Sequence, residues 1–245
     1  MQAFARTDTG CVRAMNQDSY YFSLEPVGPL PNLFIVADGM GGHQAGDYAS
    51  RYAIEVFLDF MKSSEGDNKI KLLDKGIALA NSKVYEKSCT DSSLTGMGTT
   101  FVAAYIDGTE LYVANIGDSR LYMAGSELNQ VTEDHSYVAA MVKAGELTRE
   151  QARFHPDKNV ITRALGVADS VKADFFEVDL MPDDRILLCS DGLSNMVDDE
   201  NIFRILKENT PQEAADLLIN QANAAGGLDN ITAIVIAPEI KEVSE

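Results

Sequence analysis

The spacing of apolar residues changes character several times along this chain, and each change predicts an element. Residues 33–37 form a continuous apolar run of strand length, with Pro26, Pro29 and Pro31 before it and glycines after it. This reads as a buried strand that ends on Asp38. Ala45, Ala49, Tyr52, Ala53, Val56, Phe57 and Phe60 then recur at helical spacing. A break over 63–68 precedes a second helix over about 69–88, with Ile70, Leu73, Ile77, Ala80, Val84 and Tyr85 on one face. Residues 2–8 alternate weakly, as an edge strand would, and 19–24 read as strand.

Short strands follow, over 99–106, 110–116, 120–123 and 130–132. Turn residues such as Asp107-Gly108-Thr109 and Gly117-Asp118-Ser119 join them, which predicts an antiparallel meander. Two short helices over 136–144 and 148–154 interrupt the strand region as an insert, in the place of a lid or side lobe. Strands over 171–178 and 185–190 come next, then a helix over 199–209. A further helix is capped by Thr210, with Pro211 at its first position and Glu213 completing a capping box; Gly226-Gly227 ends it. A last buried strand covers 232–237. Helix pairs alternating with runs of antiparallel strands make the fold class α+β rather than a doubly wound sheet.

Composition narrows the setting. The 245 residues are 45% hydrophobic, enough for a sizeable core, and they show no internal repeat or linker, so residues 1–240 read as one domain with a polar tail at 241–245. Twenty basic residues against 38 acidic ones leave a formal charge of −18. That balance disfavours nucleic-acid and membrane-surface binding, which both require basic patches. Cys11, Cys89 and Cys189 are widely separated and lack a disulfide or zinc pattern, as in a reducing compartment. With no leader-like N-terminus and no membrane-length apolar run, the expectation is a cytoplasmic protein.

Aspartates at strand ends are the candidate chemistry. Asp38 follows one apolar strand and precedes Gly39; Asp191 follows another and precedes Gly192. Asp118 follows the strand over 111–117, and Asp229 stands just before the last strand. Carboxylates delivered to one point repel strongly unless a cation lies between them, so a shared metal site is the reading that explains four matched settings. Oxygen ligands without clustered Cys or His suit Mg²⁺ or Mn²⁺ and disfavour zinc. Two such ions can activate a bridging water and clamp a phosphate for in-line displacement. Arg13 offers a planar fork that matches phosphate, and His43 could protonate a leaving alkoxide. The glycine turn after Asp38 lacks the lysine and Ser/Thr of a P-loop. No Cys-x5-Arg loop is present, and Met40 stands where aspartyl-phosphate enzymes carry a second aspartate. Direct attack by water is therefore favoured over a covalent phosphoenzyme.

Seven motifs occur in order: Arg13-x-x-Asn16-Gln17-Asp18, Asp38-Gly39-Met40-Gly41-Gly42-His43, Gly98-Thr99-Thr100, Asn115-Ile116-Gly117-Asp118-Ser119-Arg120, Thr162-Arg163-Ala164-Leu165-Gly166, Ser190-Asp191-Gly192-Leu193 and Asp229-Asn230-Ile231-Thr232. Together they resemble the metal-dependent type 2C protein phosphatases, and most of all the bacterial single-domain serine/threonine enzymes that oppose kinases. The resemblance implies a four-layer α-β-β-α sandwich of two antiparallel sheets flanked by helices. It also implies a phosphoserine/phosphothreonine phosphatase with two core Mn²⁺ or Mg²⁺ ions and a third, weaker one.

By motif, Asp38 would bridge the two core ions, the Gly39 carbonyl would contact the second, and Asp191 and Asp229 would complete the first site. Asp18 would orient water on the metal, and Asp118 with Asp191 would hold the third ion. Arg13 would bind substrate phosphate and His43 act as general acid. The insert at 136–159 corresponds to the family's mobile flap. Gln17 stands where many eukaryotic members have glutamate. The implied partners are phosphorylated proteins, a serine/threonine kinase among them, for a monomeric enzyme. A member dedicated to one partner-switching regulator, or a phosphoprotein-binding module without turnover, are the competing readings; the intact aspartates argue against the second.

Overall fold

In a computed structural model, residues 1–42, 45–66 and 68–240 are described. The first half carries β1 (Gln2–Asp8), β2 (Asp18–Ser23), β3 (Leu33–Met40), α1 (Ala45–Ser63) and α2 (Lys69–Thr90). The strand region holds β4 (Gly98–Thr99), β5 (Phe101–Asp107), β6 (Glu110–Ile116), β7 (Arg120–Ala124) and β8 (Leu128–Gln130). The insert supplies α3 (Tyr137–Lys143) and α4 (Arg149–Arg153). Then come β9 (Asp174–Asp179), β10 (Arg185–Cys189), α5 (Asp191–Ser194), α6 (Asp199–Glu208), α7 (Pro211–Ala224) and β11 (Ile231–Ala237).

The strands form two antiparallel sheets. One has the order β1-β11-β10-β7-β8 and the other β2-β3-β5-β6-β9, with β4 paired to β3. Both faces of each sheet are covered, which is why the central strands read as unbroken apolar runs. Along β3, Leu33, Ile35 and Ala37 join the core beneath α1 and α2, while Phe34 and Val36 join the core between the sheets. Along β11, Ile231, Ala233 and Val235 pack with α6 and α7, while Ile234 and Ile236 join the same inter-sheet core. The period-2 alternation of strands thus builds three apolar layers, and the architecture is the four-layer sandwich.

Three local expectations change. The predicted meander divides between sheets: β5 and β6 pair in one, β7 and β8 in the other. The chain crosses at Gly117-Asp118-Ser119, where Gly117 has φ +104° and a Cβ would lie 2.6 Å from the Thr100 side chain. Strand β3 does not stop at Asp38, because Gly39 pairs with Thr99 and Met40 with Gly98. Strand β8 sits at 128–130 rather than 130–132, since Leu128 is the partner of Ala124. The Thr210–Glu213 capping box and Pro211 stand as read.

Five ends meet at one edge of the sandwich: the starts of β2 and β11 and the ends of β3, β6 and β10. Each carries or adjoins one of the aspartates singled out above. At the crossing, Gly117→Ala combines an unfavourable φ with that steric conflict. The expected cost is about 1–3 kcal/mol. Denaturant titration measures it, and an unchanged midpoint would contradict this account of the crossing.

Candidate active site

Asp38 is fixed through its backbone. Its N–H donates to Thr100 Oγ1 at 2.8 Å, and its carbonyl accepts from Thr100 N at 2.9 Å and from Thr99 Oγ1 at 2.9 Å. Thr100 Oγ1 also lies 2.7 Å from Ser119 Oγ, so the same hydroxyl links Asp38 to the Asp118 crossing. Gly39 donates its N–H to the Gln17 carbonyl at 3.1 Å. These bonds give the Gly98-Thr99-Thr100 motif a physical purpose that its residue types alone did not reveal.

Asp18 sits opposite Asp38 in the register of β2 and β3. Its Oδ2 accepts from Ser190 Oγ at 2.7 Å and from Thr232 Oγ1 at 2.6 Å, which ties one sheet to the other at the site. Its Oδ1 is buried without a partner. A buried acceptor left alone is costly, and such exceptions mark functional positions. Ser190 and Thr232 stand in the quoted motifs, but their neighbours' acidity drew attention away from them.

Asp191 does not end a strand. Ser190 is the N-cap of α5, and Asp191 is its first residue, where a carboxylate is favoured by the helix N-terminus. Its Oδ2 accepts from Asn195 Nδ2 at 3.0 Å. Gly192 follows because the backbone passes close: a Cβ there would lie 2.0 Å from the Asn230 carbonyl oxygen. Asp229 Oδ2 accepts from Arg13 Nη2 at 2.7 Å, with the Arg13 side chain half exposed. Asn230 fastens this loop to the Arg13 segment, accepting from Gln17 N at 2.8 Å and donating to the Thr9 and Met15 carbonyls at 2.9 Å each. His43 lies outside the described residues.

The electrostatics bind these positions into one site. Burial raises the Asp38 carboxyl well above its ordinary range, and Asp18, Asp191, Asp118 and Asp229 add to the rise. Asp18 is pushed up to about 7 by burial, against the hydrogen bonds from Thr232 and Ser190, with Asp191 and Asp229 adding repulsion. Burial and then Asp191 raise Asp118; burial and then Asp229 raise Asp191. Repulsion of this kind acts over several ångströms, whereas ligation of Mg²⁺ needs about 2.0–2.1 Å. Accordingly, among the described residues no three acidic, His or Cys side chains form a ready metal cluster, although five carboxylates share the region. Three of them turn an oxygen onto a protein side-chain donor: Asp191 onto Asn195, Asp229 onto Arg13, and Asp18 onto Ser190 and Thr232. The donor set is all oxygen, mutually repelling, and includes the orphaned Asp18 Oδ1. It suits hard divalent cations.

The sequence signature of the family described as protein phosphatase 2C matches residues 12–220. The chain belongs to that family. It is 41% identical over 249 residues to the serine/threonine phosphatase stp of Listeria monocytogenes serotype 4b, covering 99% of this chain and 98% of that protein. The crystal structure of the serine/threonine phosphatase Stp1 from Staphylococcus aureus matches with a TM-score of 0.90 at 32% identity, covering 97% of this chain and 95% of that one. The catalytic domain of the phosphatase PstP, crystallised in complex with two manganese ions, matches with a TM-score of 0.84 at 36% identity, covering 96% of each chain. As a 2C phosphatase, this chain is an enzyme whose sandwich is that of its relatives.

A pH dependence follows from the raised carboxyls. A folded state with raised acid pKa values holds protons that the unfolded chain has released, so its stability falls as pH rises between the two values. For Asp18 that window runs from 3.8 to about 7. Chelator-treated protein is expected to melt at progressively lower temperature as pH rises through this window, with Mn²⁺ suppressing the fall. A melting temperature that is flat or rising there in both conditions would contradict the electrostatic description.

Proposed function

We propose that this serine/threonine phosphatase of the 2C family hydrolyses phosphoserine and phosphothreonine in proteins by direct attack of water, with Mn²⁺ or Mg²⁺ as cofactor. The observation that carries the reading is the gathering of Asp18, Asp38, Asp118, Asp191 and Asp229, from both sheets, beside the half-exposed guanidinium of Arg13. PstP with two manganese ions, in a fold this similar, supports the same cofactor here.

Asp38, Asp191 and Asp229 would hold the two core ions, with the Gly39 carbonyl on one of them, and Asp118 with Asp191 would hold a third. When bound, such ions supply Lewis-acid polarisation of the phosphoryl group and a water acidic enough to react at neutral pH. Arg13 binds and orients the phosphate: one N–H is engaged by Asp229, and a guanidinium carries five donors. Asp18, held by Ser190 and Thr232 through one oxygen, keeps the other to orient the attacking water. His43 gives a proton to the departing serine or threonine oxygen.

Residues 1–240 act as one catalytic domain, with the insert at 136–159 as a flap over substrate. The natural substrates are phosphorylated proteins, including a bacterial serine/threonine kinase that the enzyme opposes. We place the enzyme in the cytoplasm as a monomer. Its three cysteines are free, and among the described residues no helix is long and apolar enough to cross a membrane.

Hydrolysis of an aryl phosphate and of a phosphothreonine peptide, with and without Mn²⁺, tests this reading. Release is expected only with metal, and Asp38→Ala and Asp229→Ala should each lose at least about 10²-fold in kcat, the scale of one lost electrostatic contact in a transition state. Metal-independent turnover, or full activity in either variant, would overturn it. His43→Ala should slow the peptide more than the aryl phosphate, whose leaving group needs no proton. Equal slowing of the two would remove the acid role.

A further inference from the structure

His135 lies outside the seven sequence motifs, and its imidazole is buried, at 6% exposure. Both its backbone and its ring hold Gly117. The His135 N–H donates to the Gly117 carbonyl at 2.9 Å, and the Gly117 N–H donates to His135 Nδ1 at 3.0 Å. Nδ1 must therefore present a lone pair, which puts the ring proton on Nε2. Nε2 lies 3.0 Å from Asp174 Oδ2 at the start of β9.

Arg163 Nη1 donates to Asp174 Oδ1 at 2.8 Å and lies 3.0 Å from His135 Nε2. Two donors thus share one carboxylate. Although partial burial works upward, the hydrogen bonds from His135 and Arg163 hold the Asp174 carboxyl below its ordinary range.

The same residue is the root of the insert. The His135 carbonyl accepts from Thr162 N at 2.7 Å, Ser136 bridges to Ile161, and Tyr137 N donates to the Val160 carbonyl at 2.8 Å. The two ends of the insert are therefore closed on each other directly behind the imidazole. A single side chain reaches from this closure to the turn that carries Asp118.

We propose that His135 is a positioning residue: its neutral ring clips the Gly117-Asp118 turn to the base of the 136–159 insert and to Asp174, so that Asp118 and the insert are placed as one unit. The inference rests on the reading of Asp118 as a cation ligand. Residues that orient a ligand without touching the metal commonly govern its affinity.

Paired amide variants separate the two sides of the ring. An asparagine at 135 can set its oxygen where Nδ1 accepts from Gly117, whereas a glutamine reaches the Nε2 position near Asp174. Amide hydrogen exchange at Gly117 and a Mn²⁺ titration of aryl-phosphate turnover are measured for His135→Asn, His135→Gln and Asp118→Ala. His135→Asn should keep Gly117 protected and stay within about twofold of the parent in half-saturating Mn²⁺, while His135→Gln loses the protection and needs roughly tenfold more. The inference is overturned if the two variants behave alike, if glutamine rescues and asparagine does not, or if Gly117 protection is lost with an unchanged Mn²⁺ requirement. Asp118→Ala keeps the layers apart. If it leaves the Mn²⁺ requirement unchanged, the ligand reading of Asp118 falls with the part of this inference built on it, and hydrogen exchange alone then decides whether His135 clips the turn.

Discussion

Mutual repulsion among buried carboxylates is the constraint to which the rest of this structure answers. Asp18, Asp38, Asp118, Asp191 and Asp229 all come to one edge of the sandwich, and four of them have raised pKa values through burial and one another. A chain does not gather such groups without a rigid frame and a reason. The frame is the two-sheet core, whose strand ends leave little freedom to the residues that follow them. The reason we propose is a centre that would hold divalent cations beside Arg13, the candidate phosphate ligand.

Apart from the Arg13–Asp229 pair, the frame is closed at the site by neutral hydroxyls and amides. Ser190 and Thr232 reach across from one sheet to Asp18 on the other. Thr100 joins Asp38 to the Asp118 crossing, and Asn230 uses three hydrogen bonds to hold the Arg13 segment against the Asp229 loop. Neutral donors stabilise a carboxylate without cancelling its charge, so the site keeps its attraction for cations. Arg120 donates to Asp134 through bonds of 3.0 and 2.7 Å; its charge works against the rise at Asp118 and Asp191, but burial outweighs it.

Much of this was legible in the residues, and the failures are physically informative. The apolar alternation and turn chemistry revealed the α+β class, both long helices and the capped α7. The matched aspartates pointed to a metal site. Strand β3 read as ending at Asp38 because glycines suggest a turn, yet β4 extends it by pairing from 60 residues away, which local pattern cannot register. Asp191 read as a strand end because the short helix α5 offers no periodicity to detect. The meander failed since the turn at Gly117 looks like a hairpin in sequence but carries the chain between sheets. His135 left no trace because a lone histidine in a polar stretch has no pattern; only its buried partners expose it.

The central claim, that residues from both sheets form one multi-cation centre, is tested most directly by electron paramagnetic resonance of the Mn²⁺-loaded protein together with calorimetric stoichiometry. The account predicts at least two Mn²⁺ per chain with a spin-coupled signal, and loss of the coupling in Asp38→Asn with one site retained. A single isolated Mn²⁺ signal in the parent protein, or coupling that survives Asp38→Asn unchanged, would contradict it.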